Sequence, residues 1–144
     1  MVAVDKGCCH TYNNGMKSHS EYWKQSAQRN WKTSQDLFKT KHYDACLFFC
    51  HLTIEKLLKG LVVQRTKTPA PHTHDLIKLA HLAQIDLSSE QAEQLNEIST
   101  FNIVGRYQDE KSAFHKKITK PYCEAWLATS KKFYLWLKKE CQNQ

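Results

Sequence analysis

Glycine and proline are scarce, at 4 and 3 of 144 residues. So few breakers exclude collagen, a proline-rich linker and the turn-dense all-β folds. Long apolar runs are absent too. None approaches the roughly 18 residues of a transmembrane helix, and no basic segment followed by an apolar core marks a secretory signal. Arginine is rare: 18 of the 21 basic residues are lysines. No phosphate-binding glycine loop, GxGxxG, HExxH or GxSxG occurs, which removes the commonest nucleotide-loop, zinc-protease and hydrolase readings. A di-iron bundle needs Glu-x-x-His pairs facing inward, and none is present. Haem, metal and other cofactors are therefore not expected.

What remains is a chain of one-domain length, 41% hydrophobic and 24% charged, within the range of a folded globule. Its net charge of +7 is uneven. Residues 16–65 carry net +5, residues 66–110 net −4 and residues 111–144 net +6. In a bundle the two basic blocks can converge on one face and attract polyanions; solvated lysine faces are the alternative. The six cysteines, Cys8, Cys9, Cys46, Cys50, Cys123 and Cys141, form no CxxC pair. Cys46 and Cys50, four apart on a helical pattern, read as small core residues. Reduced thiols fit a cytoplasmic protein.

The periodicity is helical throughout. Residues 1–15 have no period and read as a disordered extension or a cloning remnant, leaving 16–144 as the single domain. A helix is expected over 18–39, with Trp23, Ala27, Trp31, Ser34 and Phe38 inward and Ser18 or Ser20 as cap. The strongest helix is 42–65, apolar nearly all round, so it is central in a bundle or meets a partner chain. It stops before the breaker segment Thr66–Pro71. A short helix over 74–84 follows, with Thr73 or His74 as cap. Ser88 and Gln91 form a capping-box pattern for a helix over 89–103. Residues 104–118 read as a loop. Pro121 opens the last helix, 120–141. The expected fold is all-α, a five-helix up-and-down bundle.

Three segments carry a resemblance. Ala45–Gly60 (ACLFFCHLTIEKLLKG) resembles the second helix of HEPN domains, the higher-eukaryote and prokaryote nucleotide-binding fold. Pro71-His72-Thr73-His74-Asp75-Leu76 is similar to that family's Thr-His-Asp-Leu opening of the third helix. Gly105-Arg106-Tyr107-Gln108-Asp109 is similar to the Arg-Tyr-Pro-Asp signature of one branch, with Gln108 in place of proline. The resemblance implies a helical bundle, a homodimer, a nucleotide or RNA ligand, and partnership with a minimal nucleotidyltransferase in a toxin–antitoxin pair. In the family's ribonuclease branch an Arg and a His four to six residues apart form a metal-independent site at the dimer interface. Here eight residues separate Arg106 from His115. That departure moves weight toward nucleotide binding or a dimerisation and adaptor role.

The candidate site residues follow from chemistry and resemblance together. RNA cleavage needs a base near the 2′-hydroxyl and a cation near the phosphate. His115 supplies a near-neutral pKa, Arg106 a bidentate phosphate clamp, and Asp109 an orienting carboxylate. Arg106 can instead make a salt bridge at the bundle end, and His115 can be a solvated loop residue. Lys116, Lys117 and Tyr107 are candidates for flanking ligand contacts, as are Glu55, Lys56 and Lys59 on the central helix. Glu55 can bond to His51 one turn back, or reach Arg106 and position it. His72, His74 and Asp75 read as cap and loop packing rather than a metal trio. No metal and no membrane are expected.

Overall fold

The computed structural model describes the backbone of residues 7–105 and 115–143, and the side chains of 19–103 and 115–143. Arg106, Tyr107 and Asp109 lie outside the described residues. The described chain is helical, with no strand. In order come α1 (Gly7–Lys39), α2 (Tyr43–Thr66), α3 (Leu76–Leu82), α4 (Ser89–Thr100), a 3-10 turn (Phe101–Gly105) and α5 (Lys120–Gln142). A further helical turn spans 115–117.

Helix α2 is the axis on which the rest is assembled. Leu47, Ile54, Leu57, Leu58 and Leu61 are at most 2% exposed, and they join α1, α3, α4 and α5 in one core cluster. Four helices thus cover most of the apolar surface of α2 and leave Ala45, Phe48, Phe49 and Leu52 half-buried. The turn between α1 and α2 is tight. Lys41 takes a left-handed φ of 64°, and the His42 amide returns to the Leu37 carbonyl at 2.9 Å. Such a short connection makes the two helices antiparallel neighbours. They approach closely at Gly60, where an added Cβ would lie 3.2 Å from Trp23 Cβ. Ser20 Oγ donates to the Gly60 carbonyl there at 3.3 Å, so Ser20 is an interhelix residue rather than a cap. Gly60→Val is expected to cost about 1–3 kcal/mol through overpacking, whereas Gly60→Ala gains about 1 kcal/mol of helix propensity that offsets its milder clash. Urea midpoints of the two variants read the difference.

Strict up-and-down alternation breaks after α2. Cys123 Sγ bonds the Tyr43 carbonyl at the start of α2, and Gln64 near its end donates to the Cys141 carbonyl at 3.2 Å. So α5 runs parallel to α2 and antiparallel to α1. The reason lies in residues 67–75, where Pro69 and Pro71 prevent helix. Extended chain covers about 3.3 Å per residue, enough to double back and set His74 beside Glu55, half way along α2. From there α3 climbs again, and Arg65 of α2 donates to the carbonyls of Ala83 and Gln84 just beyond it, at 3.0 and 3.2 Å. Then α4 and the 3-10 turn descend.

Local signals set the boundaries. Ser88 and Gln91 form the expected capping box, and Thr119 caps α5 with Pro121 in its first turn. Helix α3 differs. Its cap is Asp75, whose side chain accepts from the Ile77 and Lys78 amides at 3.0 and 3.2 Å. A carboxylate there satisfies two orphan amides and complements the helix dipole, which puts the start after Thr73 and His74. Helix α1 begins at Gly7, earlier than the expected 18. Within α1, Ala27, Trp31 and Ser34 are buried, and Trp23 and Phe38 half-buried. Part of the expected 104–118 loop is also helical, at 104–105, the end of the 3-10 turn, and at 115–117.

Candidate functional site

His51, Glu55 and Lys59 stand at i, i+4 and i+8 on α2 and so share one face. All three are buried, at 0, 4 and 8% exposure. Lys59 Nζ donates to Glu55 Oε1 at 2.8 Å. His74 Nδ1 lies 3.1 Å from both Glu55 oxygens. His51 Nδ1 is 3.6 Å from Oε2, and His51 Nε2 is 3.3 Å from the His74 carbonyl. That carbonyl can only accept, so Nε2 carries the ring proton. Lys59 also sits over the Trp23 ring, 5.5 Å from its centroid. Glu55 therefore faces Lys59, His74 and His51; Arg106, the partner considered from sequence, lies outside the described residues. His74 is turned to this carboxylate and Asp75 to the α3 amides, which accords with cap and loop packing for that segment.

The electrostatics follow from burial. Burial alone would raise the Glu55 pKa, but hydrogen bonds from Lys59 and His74 outweigh it and hold the carboxyl below its ordinary value. Burial pushes His51 below 6.5, against the opposing pull of Glu55. Both shifts have one sign. A depressed folded pKa contributes stability above the unfolded value and loses it as pH falls through the folded one. Acid destabilisation is thus expected to begin below the ordinary His51 value of 6.5, with Glu55 adding to it below 4.5. Urea midpoints should fall between pH 7 and pH 5, and His51→Gln should flatten that slope.

Lys56 occupies the neighbouring face. Its Nζ donates to Ser26 Oγ of α1 at 2.7 Å, and it makes no ion pair among the described residues. Burial, then the Arg29 guanidinium, lower its pKa. The Glu55 carboxylate opposes them, and a further anion at this ammonium would favour its charged form.

The remaining candidates lie elsewhere. His115 is about half exposed, and its Nε2 is 3.6 Å from Asp44 Oδ2 near the start of α2. Asp44 and Glu55 are eleven residues apart, about 16 Å along a helix axis, so His115 does not join the Glu55 cluster. Lys116 is exposed. Lys117 pairs with Glu97 of α4 and lies over the Tyr122 ring, 5.5 Å from its centroid. Tyr122 also donates to Glu97. Burial raises the Glu97 pKa, but these two bonds outweigh it and leave it depressed. Lys117 thus makes a half-exposed ion pair within the chain.

Cys46, Cys50, Cys123 and Cys141 are free, buried thiols. At Cys46 a bond with Cys123 pulls the pKa down, but Cys50 and burial prevail and push it up to about 12. Burial raises Cys141 to about 11. Such thiols are poor nucleophiles and metal ligands at neutral pH. Among the described residues no three His, Cys, Asp or Glu side chains are grouped to hold a metal ion, and no helix is long and apolar enough to cross a membrane.

The HEPN domain family model matches residues 20–141, most of the chain. The protein belongs to the HEPN domain family. Comparisons with curated proteins and with solved structures give no match. The family membership fits a nucleotide- or RNA-related function. Sequence reasoning missed the role of Ser26, the Trp23–Lys59 contact, and Asp44 beside His115. The 51/55/59 spacing was the available signal for the Glu55 network; contacts between α1 and α2 leave no mark in spacing.

Proposed function

We infer that this HEPN domain binds a phosphate-bearing ligand, a nucleotide or RNA, with Lys56 and Arg29 as its cationic contacts. The observation that carries the reading is Lys56 itself: a half-buried ammonium with a hydroxyl at 2.7 Å, within the electrostatic reach of Arg29 and with no ion pair among the described residues. Bound phosphate would neutralise both charges. Glu55 and Lys59, paired to each other, hold α2 and the 67–75 segment in register rather than touching ligand. Lys116 and Tyr107 provide flanking contacts.

The protein acts as a cytoplasmic homodimer, the toxin-like member of a pair with a minimal nucleotidyltransferase. Support for the dimer comes from Ala45, Phe48, Phe49 and Leu52, which form a half-buried apolar strip on one side of α2. Such a strip is self-complementary about a two-fold axis. The same strip would serve a non-catalytic adaptor, which binds its partner but no nucleotide. Titration of ATP and single-stranded RNA separates the two. Saturable micromolar binding that weakens in Lys56→Gln supports the ligand reading, and a tight dimer without either affinity supports the adaptor.

A second reading is a metal-independent ribonuclease using Arg106, His115 and Asp109. What favours it is His115, half exposed beside the orienting carboxylate of Asp44. It requires cleavage of RNA in EDTA by wild type and none by Arg106→Ala. Intact RNA after long incubation with wild type would end it.

A further inference from the structure

Helices α1 and α5 each pack along α2 and meet each other through a few side chains, Trp31 on Tyr134 among them. The gap between them is a groove made of two adjoining hollows, of about 230 and 530 Å³, which share Gln25, Gln28 and Tyr134. Leu57 of α2 lies at its floor. We propose that this groove is a binding site for single-stranded nucleic acid, with the strand's phosphates on the lysines of its two walls and its base edges on the glutamines of α1.

Three observations support the assignment. The first is charge. Lys24, Arg29 and Lys32 of α1 and Lys138 of α5 line it, against Glu21 as the single acidic residue in the lining; Lys24 pairs with that Glu21 and Lys32 with Asp36, both pairs at exposed positions that a strand's phosphates can compete for. The basic blocks at 16–65 and 111–144 meet here in space. Counterion release from a strand laid between them favours binding. The second is Tyr134, which is 6% exposed yet makes no hydrogen bond among the described residues and lines both hollows. Its ring is fixed, stacked on Trp31 at 5.2 Å between centroids, with Lys138 Nζ 5.7 Å away. A positioned hydroxyl on a ring that carries an ammonium over its face is a ready phosphate or ribose contact. The third is the amide row of Gln25, Gln28 and Gln35. An amide offers a donor and an acceptor together, the pattern that matches a base edge. Unpaired bases alone expose their Watson–Crick edges, and a slot between adjacent helices admits a strand more readily than a duplex.

The groove goes beyond the Lys56 site: Arg29 borders both, but Lys24, Lys138 and Tyr134 belong to the groove alone. Both sites are tested by anisotropy of a labelled single-stranded RNA, the same RNA as a duplex, and labelled ATP. The proteins are wild type, Lys24→Gln/Lys138→Gln, Tyr134→Phe and Lys56→Gln. Tyr134→Phe keeps the ring on Trp31 and removes only the hydroxyl, so the fold is retained. In the double variant the slope of log affinity against log salt should fall by about 1.4, or 0.7 per lost phosphate contact on a single strand. Tyr134→Phe should weaken the strand about threefold to tenfold, with ATP binding unchanged in both. Strand binding that these substitutions leave intact overturns the groove while the Lys56 reading stands. Equal binding of duplex, or an equal loss of ATP affinity in the groove variants, also overturns it. Absence of binding to every probe by wild type overturns both readings.

Discussion

Replacing Glu55 by leucine is expected to lower folding stability by about 3–5 kcal/mol, the usual cost of removing one partner from a buried ion pair. Lys59 would be left as an ammonium 8% exposed, with the Trp23 ring as its remaining neighbour. His74 would lose its carboxylate, so the 67–75 segment would lose one of its ties to the middle of α2. Against a typical total of about 5–15 kcal/mol, the loss should move the urea midpoint by about 2 M. Glu55→Gln keeps the shape and a hydrogen-bond acceptor and should cost less. Adding Lys59→Met to Glu55→Leu should recover much of the loss, because an apolar pair of similar volume is often as stable as a buried ion pair. An unchanged midpoint in Glu55→Leu would show that the network is not formed in solution.

Phe101→Ala carries the second large effect, about 3–5 kcal/mol. The ring is 0% exposed and meets Tyr122 and Trp126 edge to face, at 6.3 and 5.8 Å between centroids. It joins the 3-10 turn to α5 immediately before Arg106. Its loss should therefore do more than shift the midpoint. Hydrogen exchange should accelerate across 101–105 and 115–122 ahead of α1 and α2, because local opening follows the lost contact. Uniform acceleration across the domain would place the ring in the general core instead.

The fold was largely legible because its main signals are local. The 43–66 helix shows in its apolar run, Ser88 and Gln91 announce a capping box, and Pro69 and Pro71 force a break. What was not legible is non-local. The return of residues 67–75 along α2, which makes α5 parallel to α2, depends on where an extended segment docks, and no periodicity encodes that. Ser20 illustrates the same limit: serine at that position suits a cap, yet it bridges to Gly60 forty residues away. In the site, the i, i+4 relation of His51 and Glu55 was readable, but Lys59 and His74 as the partners of Glu55 were not singled out. The charge blocks were legible as blocks; only the packing of α1 and α5 on one helix brings them to a common groove.

The most direct measurement is equilibrium binding of the intact protein to ATP and to a short single-stranded RNA across a salt series, beside Lys56→Gln. The expected result is saturable micromolar binding of at least one ligand, weakened by salt and by loss of the Lys56 ammonium. No saturable binding to either ligand at low salt, where electrostatic contacts are strongest, would contradict the account and leave a dimerising scaffold in its place.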